Sequence, residues 1–445
     1  VSLLRSIIAP GVSALLTSHR TQHLLRRRSE LARRLFGRPH RVDYFHQVDD
    51  PYSALTAQLL ERFAARYQVE LACHIVRPPR AAAAPEPRML QDYSLADALA
   101  VAGELGLRFE ALGGRPSDSS LLLATRALAA AVETGTMPGV AASVSSALWG
   151  GDRQALERST SALLQAAPDD QRVENLLDEG DRLRGKHGHY LGATFYYAGE
   201  WYWGVDRLHY LEQRLGDLGL RRSLPDGGAQ GQSLVEPVLV AAPAGSGEGF
   251  VLEYFASLRS PYTAIVTPRV FEFAERSGVE LRVRPVLPMV MRGLAVPRAK
   301  RMYILLDTAR EARRAGVPFG RVSDPLGRPV ERALSLHDWA RGQGREREYL
   351  LAFYDLVWAH GIDAGSDAGL RQIVQRAGLD WSSACAVVDN DDWRGEVEQN
   401  RVDMMAAGCW GVPSFRLSGP GLGEPLVTWG QDRLWLIERA LTGLS

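Results

Sequence analysis

Two stretches of this chain repeat each other without a gap, and that repetition restricts the possible architecture more than any other feature. Residues 42–76 align with residues 252–286 at an offset of 210, and 12 of the 35 positions are identical. Tyr44/Tyr254, Pro51/Pro261 and Tyr52/Tyr262 recur, and Val69-Glu70-Leu71 returns as Val279-Glu280-Leu281. A second pair of blocks closes each half: WGVDRLHYLEQRL at 203–215 and WGQDRLWLIERAL at 429–441. A solenoid repeats over roughly 20–50 residues. Here the two blocks keep their order and stand about 150 residues apart in each copy, which predicts a duplicated domain instead. A length of 445 residues accommodates two such domains.

Each copy has the same coarse layout. A short apolar strand (42–45; 251–255) leads into a loop carrying Asp-Pro-Tyr or Ser-Pro-Tyr. A helix of about 17 residues follows, then a second strand (70–76; 280–286). Strand, helix, strand is the pattern of a parallel crossover. In the second copy, helical patterns then run near 300–315, 328–341, 346–360 and 367–377. Two strands (414–417; 425–428) and a terminal helix from Gln431 complete it. The expected boundaries are an N-terminal basic amphipathic helix over 1–40, a domain over 41–222, a linker over 223–249 and a domain over 250–445. The linker assignment rests on Asp226-Gly227-Gly228 and Gly245-Ser246-Gly247-Glu248-Gly249, a composition that breaks regular structure. The first 40 residues turn basic after an apolar stretch and lack the small-residue cleavage site of a signal peptide, so they read as a surface helix.

Composition excludes several classes. Lys+Arg and Asp+Glu both total 52, so net charge gives no footprint for nucleic acid or an anionic membrane surface. No apolar run approaches the roughly 18 residues of a spanning helix. Neither nucleic acid nor membrane is expected as a partner. The three cysteines, Cys73, Cys385 and Cys409, form no C-x-x-C pair and no zinc spacing. That pattern fits a reducing, cytoplasmic setting. Cys73 and Cys385 read as structural, and Cys409 as a buried small hydrophobe. His187 and His189 lack a third ligand, so no metal is expected and both read as surface histidines.

Three motifs carry possible chemistry. In Arg259-Ser260-Pro261-Tyr262, Ser260 stands where a helix presents unpaired N–H groups, with Pro261 at the first helical position. A thiolate there gains from the dipole and from a serine O–H donor. In Gly411-Val412-Pro413-Ser414-Phe415, a cis Pro413 at a strand start would expose the Val412 backbone to a peptide-like ligand. In Trp429-Gly430-Gln431-Asp432-Arg433-Leu434, Gln431 and Asp432 open a helix, and the acid can receive an amino group. Each motif also has an ordinary reading: an N-cap, a turn proline and a capped helix.

Together and in this order, these motifs resemble the 2-hydroxychromene-2-carboxylate isomerase and kappa-class glutathione transferase branch of the DsbA-like thioredoxin superfamily. Pro297-Arg298-Ala299-Lys300-Arg301-Met302-Tyr303, at the first inserted helix, adds a fourth matching segment. The resemblance covers 250–443 and implies an α/β chain of two thioredoxin-like domains, each with a helical insertion. It implies that glutathione is the cofactor. Ser260 would face its sulfur, Val412 beside Pro413 its cysteinyl backbone, and Gln431 with Asp432 its γ-glutamyl end. Lys300 would serve the same site. The disulfide-exchanging relatives carry C-x-x-C where this chain has Ser260-Pro261-Tyr262. The first copy departs at the decisive places: Asp50 replaces Ser260, and Gly192-Ala193-Thr194-Phe195 replaces Val412-Pro413-Ser414-Phe415. That copy is expected to be a structural partner in an intramolecular pseudo-dimer.

The leading functional expectation is a glutathione-dependent isomerase acting on an unsaturated, aromatic-derived substrate through reversible thiolate addition. The expected partners are thus a small-molecule thiol and a small organic substrate. The alternatives are a kappa-like glutathione transferase or DsbA-family oxidoreductase, and a non-enzymatic thioredoxin-fold binding protein. Arg259, the loop over 324–330 and Cys409 are not features of the isomerase pattern.

Overall fold

The computed structural model describes residues 2–223 and 232–443, with side chains from residue 9 on. Asp226-Gly227-Gly228 lies outside the described residues. The chain divides into two compact units, one of Leu24–Val238 and one of Val1–His23 with Leu239–Ser445.

Where one N-terminal helix was expected over 1–40 there are two, α1 (Ser2–Thr17) and α2 (His19–Leu35). They separate at Ser18. In α1, Ser13 Oγ accepts from the Val322 N–H at 2.9 Å, and the Thr17 carbonyl accepts from Arg313 at 3.1 Å. In α2, Arg26 makes a two-pronged ion pair with Glu200 at 2.6 and 2.9 Å.

The Leu24–Val238 unit continues with β1 (Arg41–Gln47), α3 (Pro51–Arg66) and β2 (Glu70–Val76). Five inserted helices follow: α4 (Pro87–Ala102), α5 (Asp118–Glu133), α6 (Met137–Trp149), α7 (Arg153–Leu164) and α8 (Asp170–Lys186). It closes with β3 (Thr194–Tyr197), β4 (Glu200–Trp203) and α9 (Gly204–Asp217). Its sheet order is β2-β1-β3-β4, with β1 and β2 parallel and the other pairings antiparallel.

The second unit repeats that plan with β5 (Val251–Ala256), α10 (Pro261–Ser277) and β6 (Glu280–Pro285). Its insertion comprises α11 (Arg298–Ala315), α12 (Arg328–Ser335), α13 (His337–Gly342), α14 (Glu346–Tyr354), α15 (Asp367–Arg376), α16 (Trp381–Ala384) and α17 (Trp393–Ala406). Then come β7 (Ser414–Ser418), β8 (Leu426–Trp429) and α18 (Leu434–Gly443). The sheet order is β6-β5-β7-β8 with the same pairing directions. This is an α/β protein of two thioredoxin-like units, each interrupted by helices between its second and third strands.

The core explains why the repeated residues recur. Tyr254 stacks on Phe415 across β5 and β7 at 5.2 Å, and Tyr44 packs on Phe195 across β1 and β3 at 4.8 Å. All four side chains are fully buried. The central strands are covered on both faces, so they read as continuous apolar runs rather than alternating ones. Helix α10 starts at the Ser260 cap with Pro261 behind it and stops at Gly278, whose φ of 76° ends the helix in a left-handed turn.

The stretch over 223–249, where described, is docked at both ends. The Leu234 N–H donates to Glu212 at 2.8 Å, and the Ala242 N–H donates to Glu438 at 2.9 Å. Val235 and Ala242 are buried, which a free tether would not require. Of the two histidines near the end of the first insertion, His189 corrects the surface expectation and His187 is half-buried. His189 is 3% exposed and stacks on Trp201 at 4.5 Å, and burial pushes its imidazole down to about 3. His187 stacks on Tyr196 at 3.9 Å. Cys409 is buried as expected, while Cys385, at the end of the short α16, is exposed.

Candidate active site

The end of β5 delivers the chain to the start of α10 through a turn over 257–260. Ser260 caps the helix, and its Oγ accepts from the Thr263 N–H at 3.2 Å. The same hydroxyl donates to the Val412 carbonyl at 3.4 Å. The sequence separation is 152 residues, so this contact joins the first two motifs in space. A 3.4 Å bond is long for O–H···O, and a stronger acceptor displaces it easily. No acidic residue occupies the first turn of α10, so no carboxylate there opposes a thiolate.

Val412–Pro413 is a cis peptide bond. Among the described residues the Val412 N–H has no hydrogen-bond partner, and Val412 is only half-buried. The strand edge therefore offers an unused donor next to a carbonyl. Two contacts fix this loop. The Gly430 N–H donates to the Pro413 carbonyl at 2.8 Å, and Ser414 Oγ donates to the Gly411 carbonyl at 2.7 Å. Gly411 is required by packing, because a Cβ there would lie 2.3 Å from the Trp429 ring.

Lys300 stands in the first turn of α11 and is 9% exposed. Its Nζ lies 5.0 Å from the centre of the Trp410 ring, two residues before Val412. Burial pushes the ammonium down to about 8, because the charged form loses water. Trp410 meets Trp429 edge-on at 5.0 Å, so the lysine and the third motif share one wall.

Gln431 and Asp432 lie in a short 3₁₀ turn (Gln431–Arg433) just before α18. Gln431 Nε2 donates to Glu311 at 3.0 Å and also to Asp432. Arg269 of α10 donates to the Gln431 carbonyl at 3.1 Å, and desolvation lowers its pKa while Asp432 and Glu311 oppose that. Two carboxylates and a guanidinium thus converge here. Ser260 caps the helix that carries Arg269, Lys300 and Glu311 share α11, and Gln431 bonds to Arg269 of the first helix and Glu311 of the second.

Reading the sequence by motif missed Glu311, Asp307 and Asp97. Glu311 lies eleven positions after Lys300 on α11, three helical turns along the same face. Tyr262 donates to the buried Asp307 at 2.8 Å, tying the start of α10 to α11. Tyr52 donates to Asp97 at 2.7 Å in the first unit, again at an offset of 210 for both residues. The gapless repeat therefore reaches the first inserted helix. The signal was present in Pro87-Arg88 and Pro297-Arg298, which align at the same offset. Arg259, outside the isomerase pattern, forks onto Asp324 at 2.6 and 2.8 Å beside the Ser260 turn.

The first unit places different chemistry in the same frame. Asp50 caps α3 as Ser260 caps α10, accepting from the Tyr52 and Ser53 N–H groups and from Ser53 Oγ at 2.8 Å. Burial pushes its carboxyl up to about 7 against those donors. Ala193 replaces Pro413 and has a φ of 53°, while its carbonyl accepts from the Gly204 N–H as Pro413 accepts from Gly430. Leu90 and Val205 stand at the Lys300 and Gln431 positions.

The helices among the described residues include none long and apolar enough to cross a membrane. Residues 251–442 match the family model of the DSBA-like thioredoxin domain, so the C-terminal half carries a domain of that kind. The chain is 26% identical over 206 residues to a protein named 2-hydroxychromene-2-carboxylate isomerase from Sphingobium xenophagum, covering 43% of this chain and 97% of the relative. Among solved structures, a 2-hydroxychromene-2-carboxylate isomerase aligns at 18% identity over 44% of this chain and 95% of its own, with a TM-score of 0.37. The cytosolic disulfide reductase DsbM of Pseudomonas aeruginosa with GSH aligns at 17% identity over 43% of this chain and 99% of its own, with a TM-score of 0.31.

Proposed function

We propose that the DsbA-like thioredoxin domain of residues 251–442 binds glutathione and works as a glutathione-dependent isomerase of unsaturated organic molecules. One observation carries this reading: Ser260 Oγ at the capped start of α10 faces the Val412 carbonyl beside cis Pro413, and neither position holds a cysteine. A site with that frame and no dithiol of its own needs a thiol from outside. The relative from Sphingobium xenophagum, matched over nearly its whole length, supports isomerisation as the reaction.

The chain's donors fit the tripeptide. The unused Val412 N–H and its carbonyl suit an added strand-like backbone. Asp432 and Glu311 with Arg269 suit the ammonium and carboxylate of a γ-glutamyl end. When bound, glutathione supplies a thiolate that adds reversibly to an electron-poor double bond and is expelled after rotation, so none is consumed. Ser260 turns its O–H from Val412 to the sulfur, and the first turn of α10 adds its dipole. Lys300, cationic below about pH 8, holds positive charge at the Trp410 wall for an anion.

The test incubates the protein with glutathione and a conjugated cis-alkenoate while following geometry and free thiol. Cis–trans conversion at constant free thiol is the expected result. Loss of free thiol in step with product assigns group transfer instead. Binding of glutathione without any conversion of a panel of such alkenoates contradicts the isomerase assignment.

A further inference from the structure

Helix α2 and the residues after it are amphipathic in the inverted sense. Arg26, Glu30 and Arg33 follow one another at helical spacing and face the protein. Arg26 pairs with Glu200, while Glu30 accepts from Tyr197 at 3.1 Å and from Arg33 at 3.0 Å. Tyr197 also meets His40 at 2.6 Å, so the charged face is bound into the unit. The opposite face carries leucines into solvent. Leu24, Leu31 and Leu35 are 65%, 60% and 74% exposed, and Phe36 continues the stripe at 70%. Arg28 stands within the stripe, four residues after Leu24 and three before Leu31, Arg27 and Arg34 are exposed along one flank, and Arg38 is exposed just beyond the helix. The Arg38 guanidinium lies 5.1 Å above the Phe36 ring.

A soluble surface helix puts its apolar stripe inward. Here charge is bound inward and leucine is left outside, which leaves the stripe unpartnered among the described residues. Glu30 is the sole acid from residue 24 to residue 38, and it is turned inward, so the outward side carries cations only. Two copies meeting through this face would bring arginines against arginines, which disfavours a second copy of the chain. A single convex helix with leucines along its crest and exposed arginines within and beside it matches a flat anionic surface. The leucines enter the acyl boundary, and the arginine stems extend along it with their heads among phosphates.

We propose that residues 24–38 dock this protein on the anionic surface of a lipid bilayer, with Leu24, Leu31, Leu35 and Phe36 inserted and Arg27, Arg28, Arg34 and Arg38 on the headgroups. The net charge of the whole chain conceals this surface, because acids elsewhere balance the local excess of arginine.

The test is flotation of the full chain with vesicles of phosphatidylcholine mixed with phosphatidylglycerol, and with phosphatidylcholine alone. The protein floats with the anionic vesicles, stays behind with the neutral ones, and is released by salt. The double variant Arg27→Gln, Arg28→Gln weakens partitioning about thirtyfold, since each arginine near such a surface contributes about fivefold. The triple variant Leu24→Ser, Leu31→Ser, Leu35→Ser abolishes flotation, and both variants keep wild-type glutathione affinity and melting temperature. Equal flotation on neutral vesicles, no flotation of wild type, or wild-type flotation by both variants overturns the proposal. So does a wild-type dimer that the leucine variant dissociates. Retention on immobilised polyglutamate without vesicle binding assigns the face to an acidic protein and overturns it equally.

Discussion

The depressed ammonium of Lys300 gives a quantitative test of the site. Burial lowers it from 10.5 to about 8. At about 1.4 kcal/mol per pH unit, that places a cost of about 3 kcal/mol on holding the cation in place at neutral pH. The sign follows from proton counts. Between about pH 8 and pH 10.5 the unfolded chain keeps the lysine protonated while the folded one has released the proton. Stability from this group therefore rises with pH across that window and is flat below it. Against Lys300→Met, the wild type gains up to about 3 kcal/mol as pH rises from 7 to 10.5, measured as the difference between denaturant titrations so that other groups cancel. The chain helps, because Lys186 and Lys300 are its only lysines among 52 basic residues. Carbon-13 labelling at lysine Cε gives two resonances, and Lys186→Arg assigns them. The Lys300 resonance titrates near 8. A midpoint above about 10, the ordinary lysine range, together with a pH-independent stability difference, refutes the burial argument and removes Lys300 from the anion-receiving wall.

Three other outcomes follow from the geometry. Tyr262→Phe removes the bond to buried Asp307 and costs about 2 kcal/mol of C-terminal unit stability, and Tyr52→Phe costs a similar amount in the other unit through Asp97, both read by denaturant titration. Gly411→Ala forces a Cβ into the Trp429 ring and lowers the melting temperature by the equivalent of about 1–3 kcal/mol, with loss of glutathione affinity. Asp50→Ser in a Ser260→Ala background restores no glutathione binding by calorimetry, because Leu90 and Val205 leave the first unit without the polar receptors that Lys300 and Gln431 provide.

Much of the fold was legible because duplication wrote it twice. The paired Tyr44/Tyr254, Pro51/Pro261 and Tyr52/Tyr262 mark a strand, a helix start and a tie to the insertion, and each keeps one structural job in both units. The strand over 70–76 falls where expected, and the one from 251 extends a single residue further to Ala256. Boundaries inside the second insertion were less legible. The helix expected over 346–360 changes at Tyr354 into a π-helical turn over Asp355–Ala359, and the one over 328–341 is split at Leu336. Periodicity sees an apolar face, and that face continues through such a change of winding. The helices α16 and α17 escaped because tryptophans and acids near 381–396 break the pattern.

At the site, Ser260 and Val412 were legible as motifs, and the fold supplies what spacing could not, a contact across 152 positions. Glu311 was hidden because an acid among the arginines of α11 looks like surface charge, yet it is 2% exposed and bound to Gln431. The outward leucines of α2 were hidden for the converse reason. An amphipathic pattern gives the angle between two faces and leaves open which one meets the protein.

The most direct measurement is calorimetric titration of glutathione into the wild type and into Ser260→Ala, with ultraviolet difference absorbance near about 240 nm reporting the thiolate. The account predicts that wild type binds glutathione and ionises it at neutral pH, and that Ser260→Ala loses the thiolate signal with weakened binding. Absence of wild-type binding at millimolar glutathione, or a thiolate signal unchanged by Ser260→Ala, contradicts it.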